Sequence, residues 1–232
     1  MSEATLKEQR KEEGAIIPLD KRGMVNGGAS PASAYLSRHG VGVLGTFIKF
    51  GKNGTYQKQV DDTPIPSGTE CVVVYDQIRA GWIKFQGKGM QPILKMGLVF
   101  DGFNPVERED LDDQDQSSWE IGLSGQPQDP WQMQVLLPLQ DTKSGELLIF
   151  GTTSKTGRAA CDNLISLCMR MQRSESDYYP VIRLDVGSFE HRDTRIGKIL
   201  KPQFTRIGRA PKADVTLAAT DAADDFQDEI PF

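Results

Sequence analysis

One stretch of this 232-residue chain spaces its apolar side chains as a principal helix does, and it constrains the class of fold. Ala160, Leu164, Leu167 and Met171 recur at three- and four-residue intervals, Thr153 or Ser154 is placed to cap the first turn, and the pattern ends near Arg173, ahead of Pro180. A core with a single helix has to be built mainly from strands. The flanking segments supply them. Residues 131–140 and 146–152 read as a hairpin around the turn 141–145, which ends in Gly. Residues 181–186 alternate, with Ile182, Leu184 and Val186 on one face and Val181, Arg183 and Asp185 on the other, and residues 199–207 can form a last strand.

Upstream, residues 41–50 and 55–60 flank Gly-Lys-Asn-Gly, whose Asn-Gly pair is a hairpin signal. Residues 71–75, 81–85 and 93–100 read as three further strands. Residues 104–118 are polar and acid-rich, a composition expected to form an exposed excursion rather than a core. Residues 1–38 mix charge runs with Gly, Ser and Pro and are expected to form a flexible N-terminal arm. The prediction is a mainly β domain over 39–209 with one principal helix, followed by a disordered acidic tail over 210–232. A strand near 71–85, the pair within 131–152, the helix 155–172 and strands 181–189 and 199–207 follow the order of an OB-fold. That fold is a small five-stranded barrel with an oligonucleotide-binding face, here carrying insertions.

The chain is 38% apolar and 25% charged, ordinary for a soluble globular protein, and contains no run of roughly 18 apolar residues that could span a membrane. The N-terminus lacks the apolar stretch of a secretory signal, so the expected location is cytoplasmic. Three cysteines without a Cys-x-x-Cys pair argue for buried thiols over disulfides or zinc. The net charge of −5 is unevenly placed: residues 210–232 carry all of it, and the other residues sum to zero. Within that neutral body, 101–130 holds nine acids and one Arg, whereas 183–209 holds seven bases and three acids.

The final nine residues read Asp224, Asp225, Phe226, Gln227, Asp228, Glu229, Ile230, Pro231, Phe232. A terminal Phe presents a ring beside an α-carboxylate, so a partner needs one apolar pocket next to an Arg or Lys to hold both. Pro231 restricts Ile230 and lowers the ordering cost, while Asp224, Asp225, Asp228 and Glu229 steer the segment to basic surfaces. This tip resembles that of bacterial single-stranded DNA-binding proteins, and the whole chain is best compared with the phage-encoded members that put such a tip on an altered OB-like body. The resemblance covers about four per cent of the chain. It implies docking onto replication, recombination or repair proteins through Asp224, Asp225, Asp228, Glu229, Ile230, Pro231 and Phe232, and, for a phage protein, the cytoplasm of a bacterial host.

Binding a single strand without sequence preference needs cations along a backbone track and aromatic faces for the bases. The late segment offers Arg183, Phe189, Arg192, Arg195, Lys198, Lys201, Phe204 and Arg206, with His191 among them. The strand 81–85 adds Trp82, Lys84 and Phe85, and the helix start adds Lys155 and Arg158 where amide donors favour phosphate. Enzyme readings have less support. Residues 151–157 follow a strand and open a helix, but Ser154 stands where a phosphate loop needs Gly before its Lys. His39 and His191 lack metal-ligand spacing, and the acids of 107–115 fall in a loop without a rigid scaffold for a two-metal site. The expectation is a non-enzymatic protein without cofactor or metal that coats single-stranded DNA, does not bind membranes, and leaves homo-oligomerisation open. The alternative is an adaptor that carries the tip but does not touch DNA.

Overall fold

The computed structural model describes residues 45–86, 92–122, 125–195 and 197–215. The expected arm 1–38 and the tip 224–232 lie outside the described residues. Among the described residues the chain is mainly β with one α-helix, and its sheet curls into a half-barrel. Among the described residues no helix is long and apolar enough to cross a membrane.

β1 (Thr46–Phe50) and β2 (Tyr56–Lys58) form the hairpin that Asn-Gly announced, pairing Ile48 with Lys58 and Phe50 with Tyr56. Gly54 adopts φ +79°, a left-handed conformation that favours glycine, and its N–H donates to the Gly51 carbonyl. A two-residue strand, β3 (Pro64–Ile65), extends the hairpin and was not foreseen. β4 (Glu70–Val73) gives way to a 3-10 turn at Tyr75–Gln77, so the strand expected over 71–75 stops two residues early. The turn lets β4 and β5 (Arg79–Lys84) run consecutively along one edge of β7 (Trp131–Asp141), while β4 also pairs with β9 (Tyr178–Glu190). β6 (Ile93–Leu98) lies outside β5.

β7 and β8 (Leu147–Thr152) form the second expected hairpin, and β9 and β10 (Lys198–Pro211) a long antiparallel ribbon with a bulge between Arg206 and Gly208. β1 lies parallel to β8 on its outer edge, giving ten strands with the main order β10-β9-β4-β7-β8-β1-β2-β3. The helix α1 (Lys155–Ser174) starts where expected. The Ser154 hydroxyl accepts from the Gly157 N–H at 3.1 Å, and Gly157 lies so close to Thr152 and Ser154 that a Cβ there would clash.

The core gathers Ile48, Tyr56, Val72, Leu137, Leu148, Phe150, Ile182 and Leu184 from the sheet, closed by Cys161, Leu164 and Cys168 of α1. Each fully buried aliphatic or aromatic side chain contributes about 1.5–3 kcal/mol to the fold. Phe47, Leu136 and Ile149 make a smaller cluster with Leu94 and Met96 of β6.

Two expectations need correction. The sheet continues past residue 209: Ala210 is fully buried in β10, Lys212 lies over the rings of Tyr75 and Tyr179, and Val215 packs on the core. The acid-rich segment after residue 104 is attached to the body rather than solvated throughout. Leu111 is 4% exposed, and the Arg108 guanidinium grips both Asp129 carboxylate oxygens and the carbonyls of Asp112 and Asp113.

Candidate nucleic-acid interface

Pairing in the β9–β10 ribbon decides which late-segment side chains share a face. Residues directly opposite lie on the same side, so Phe204 follows its partner Leu184 toward the core, while Lys201 pairs with Gly187 and Ile199 with Phe189 on the other side. Phe204 meets the Phe150 ring edge-on at 5.5 Å and is half-buried. Its first duty is packing. Phe189, 38% exposed, keeps a free face.

Between α1 and this ribbon, at the β10 edge of the sheet, runs a groove of about 580 Å³ that residues from both faces of the ribbon line. Leu164, Leu167 and Phe204 supply its apolar surface, Asn163 and Gln203 its amides, and Arg170 and Lys201 its cations, with Phe189 on the lining. Neither Arg170 nor Lys201 has an ion-pair partner among the described residues. The lining on α1 extends from Thr156 to Arg170, about 21 Å of helix axis. Arg170 was missed at the sequence level, although its place three residues beyond Leu167 puts it beside the apolar stripe.

The remaining late-segment cations divide by partner. Arg183 is tied to Asp185 at 2.9 Å, and its guanidinium is held above its ordinary range mainly by that hydrogen bond. Arg195 forms a two-point pair with Asp193 at 2.7 and 3.0 Å. Arg206 is half-buried, 3.8 Å from Glu175, which binds Arg209 more closely at 2.7 Å. Arg192 and Lys198, near the ribbon's tip, are exposed and without ion pairs among the described residues, while His191 accepts the Asp193 N–H at Nδ1. Lys155 is exposed at the start of α1. Arg158 is half-buried, with its Nε lacking a hydrogen-bond partner among the described residues. Capping by Ser154 already engages one amide that a phosphate at this helix end would seek.

The β5 candidates belong to a different site. The Trp82 indole donates to the Val106 carbonyl at 2.8 Å, and Lys84 pairs with Asp113 and, at 3.5 Å, with Asp112. The hydrogen bond to Asp113 is the main cause of the raised Lys84 pKa. Asp112 also accepts from the Trp131 indole at 2.6 Å, the chief reason its carboxyl stays below the usual range. Phe85, just beyond β5, is 57% exposed beside a hollow of about 340 Å³ that Asp113, Glu120 and Asp129 help to line. This second hollow shares no lining residue with the first, so the structure does not unite Trp82, Lys84 and Phe85 with the late-segment candidates. No family model matches the chain, and no curated protein or solved structure matches it either.

Proposed function

We infer that this protein binds single-stranded DNA with little sequence preference, in the groove between α1 and the β9–β10 ribbon, on a body of OB-like plan. The observation that carries the reading is the presence of two cations, Arg170 and Lys201, unpaired among the described residues, in one groove with the partly exposed Phe189. Cations along a track with an aromatic face are what sequence-tolerant single-strand binding needs. The order of elements supports an OB-like plan: a bent first strand formed by β4 and β5 pairs with both β7 and β9, the helix follows the β7–β8 hairpin, and another hairpin ends the sheet. OB-folds bind oligonucleotides across strands two and three and the flanking loops, including the loop between strands four and five. On this plan the corresponding loop joins β9 to β10, next to Arg192 and Lys198.

Recruitment of replication, recombination or repair proteins is the second half of the proposal and rests on the sequence of residues 224–232 alone. Phe232→Ala is expected to abolish capture of such partners while leaving strand binding in place.

Titration of a fluorescent single-stranded oligonucleotide at two salt concentrations tests the first half. Tight binding that weakens as salt rises is the expected result, because phosphate contacts release counterions. Absence of binding at low salt would overturn it in favour of an adaptor acting through the tip. Shortened oligonucleotide in the presence of magnesium would point to a nuclease instead.

A further inference from the structure

The geometry points to a second single-strand site on the β5–β6 side of the sheet, held shut by the acid-rich strap 104–122, whose Asp112 and Asp113 carboxylates stand where phosphates of a bound strand would. This inference rests on the reading of the body as a single-strand binder. Beneath the strap lie that activity's ingredients. Lys84 and Lys95 place their ammonium groups 5.6 and 5.2 Å from the centre of the Trp131 ring, and Phe85 and Trp119 line the adjoining hollow. Trp131 is 2% exposed, and both strap carboxylates reach Lys84. An aromatic face with two lysines is thus already engaged by anions, and the anions belong to the chain itself.

The strap's attachment suits exchange. Among the described residues, all the backbone–backbone hydrogen bonds of residues 104–122 are internal or to residues 125–128, namely Asp110 to Glu107, Leu111 to Arg108, Ser118 to Asp115, Trp119 to Gln116, Gly122 to Gln126, Gly125 to Gly122, and Gln128 to Glu120. None reaches a strand of the sheet among the described residues. The hold comes from side chains: Lys84 on Asp112 and Asp113, the Trp131 indole on Asp112, the Trp82 indole on the Val106 carbonyl, and the burial of Leu111. Arg108, clasping Asp129, ties the strap to the residues just before β7. Carboxylate–lysine pairs near solvent are weak and screened by salt, and a polyphosphate chain competes with them directly. A strand offering several phosphates displaces the two carboxylates, and its bases then meet the Trp131 face. At low occupancy the groove beside α1 binds alone; the strapped face engages when the strand is long enough to reach both.

The test measures binding of an oligothymidylate of about 16 nucleotides, the upper end of a single OB-type site, to the full chain and to D112N/D113N. The double variant is expected to bind roughly tenfold more tightly at low salt, with a logarithmic salt slope steeper by about 0.7 for each lysine released. Adding Lys84→Ala to the double variant should cancel most of the gain. Amide exchange of the natural chain gives an independent readout: residues 104–122 should exchange faster when the oligonucleotide is bound, while β9 and β10 are protected. Unchanged affinity, slope and strap exchange, with the natural chain binding normally, would sink the second site and leave the groove proposal standing. Binding by the double variant alone would support the strapped site and overturn the groove, and binding by neither chain would overturn both. Loosening of the strap by an acidic peptide but not by the oligonucleotide would reassign the face to a protein partner. If D112N/D113N fails to fold, the exchange result on the natural chain decides.

Discussion

The Tyr56 hydroxyl donates to the Asp185 carbonyl at 2.9 Å, linking the N-terminal hairpin to a ribbon 129 residues further along the chain. The same oxygen accepts from the Gln203 N–H at 3.3 Å, so one phenol serves both strands of the ribbon. Tyr56 is 1% exposed, and its ring meets Phe50 and Phe150 edge-on. β8 and β10 do not pair within the sheet, and Tyr56, together with the Phe150–Phe204 contact, spans the gap between them. Tyr56→Phe removes both hydrogen bonds of a buried phenol and is expected to destabilise the fold by about 1–3 kcal/mol, about 0.5–1.5 for each bond. A lower urea midpoint with an unchanged slope is the signature sought, and an unaltered midpoint would mean the hydroxyl only fills space.

The groove distinguishes its residues by mode of contact. Lys201→Ala and Arg170→Ala are each expected to weaken oligonucleotide binding and to reduce the salt slope by about 0.7, as loss of one phosphate contact requires. Phe189→Ala should cost about 1–3 kcal/mol of affinity and leave the slope unchanged, because stacking releases no counterion. Arg195→Ala should change little, since Asp193 already claims that guanidinium. Fluorescence titrations over a salt series separate the three behaviours, and equal slopes across all variants would remove the groove from consideration.

Gly81 carries the tightest backbone approach in the β5–β6 pair. It adopts φ +149°, and a Cβ there would run into the carbonyl of Lys95 and the Cα of Met96. Both obstacles are backbone and cannot swing aside. Gly81→Ala is therefore expected to cost roughly 3 kcal/mol and to separate β6 from β5. Thermal unfolding gives the loss, and amide exchange in β6 its location; full retention of stability would show that the pair can slide apart without penalty.

Local pattern reached most of the scaffold and little of the site's electrostatics. The helix is legible because Leu164, Leu167 and Met171 repeat at its own period and Ser154 caps it, signals contained within one window. The two hairpin turns are legible for the same reason. Lys84 looked like a phosphate contact because nothing within its strand opposes it; its partners, Asp112 and Asp113, come from across the excursion. Phe204 looked like a stacking face because its alternation does not say which side of the ribbon meets Phe150. The strap was read as solvated from its composition, since a single buried leucine and one clasping arginine barely alter an average over fifteen residues. The parallel pairing of β1 with β8 joins segments a hundred residues apart and has no local signature.

Stability should fall at alkaline pH, and the cause lies between α1 and the sheet. Cys161 and Cys168 are fully buried on the core face of the helix, and burial pushes both thiols from 9.0 up to about 12. Burial raises Cys71, Tyr56 and Tyr179 as well. Below pH 9 the thiols are neutral whether the chain is folded or not, so they impose no pH dependence. Between 9 and 12 the unfolded thiols release protons that the folded ones keep, the unfolded state gains, and stability is lost as pH rises through this window. At about pH 10 each thiol should account for about 1.4 kcal/mol of that loss. Urea midpoints are expected to decline from about pH 9 upward, with C161A/C168A declining less steeply because Cys71, the two tyrosines and Lys84 still contribute. A thiol reagent should label the native chain very slowly near neutral pH and all three cysteines once urea is added, because the reactive thiolate is suppressed by burial. Fast labelling of Cys161 or Cys168 without urea, or a midpoint that holds steady to the end of the alkaline range, would show that water reaches the helix–sheet interface and that the packing beneath the groove is looser than described.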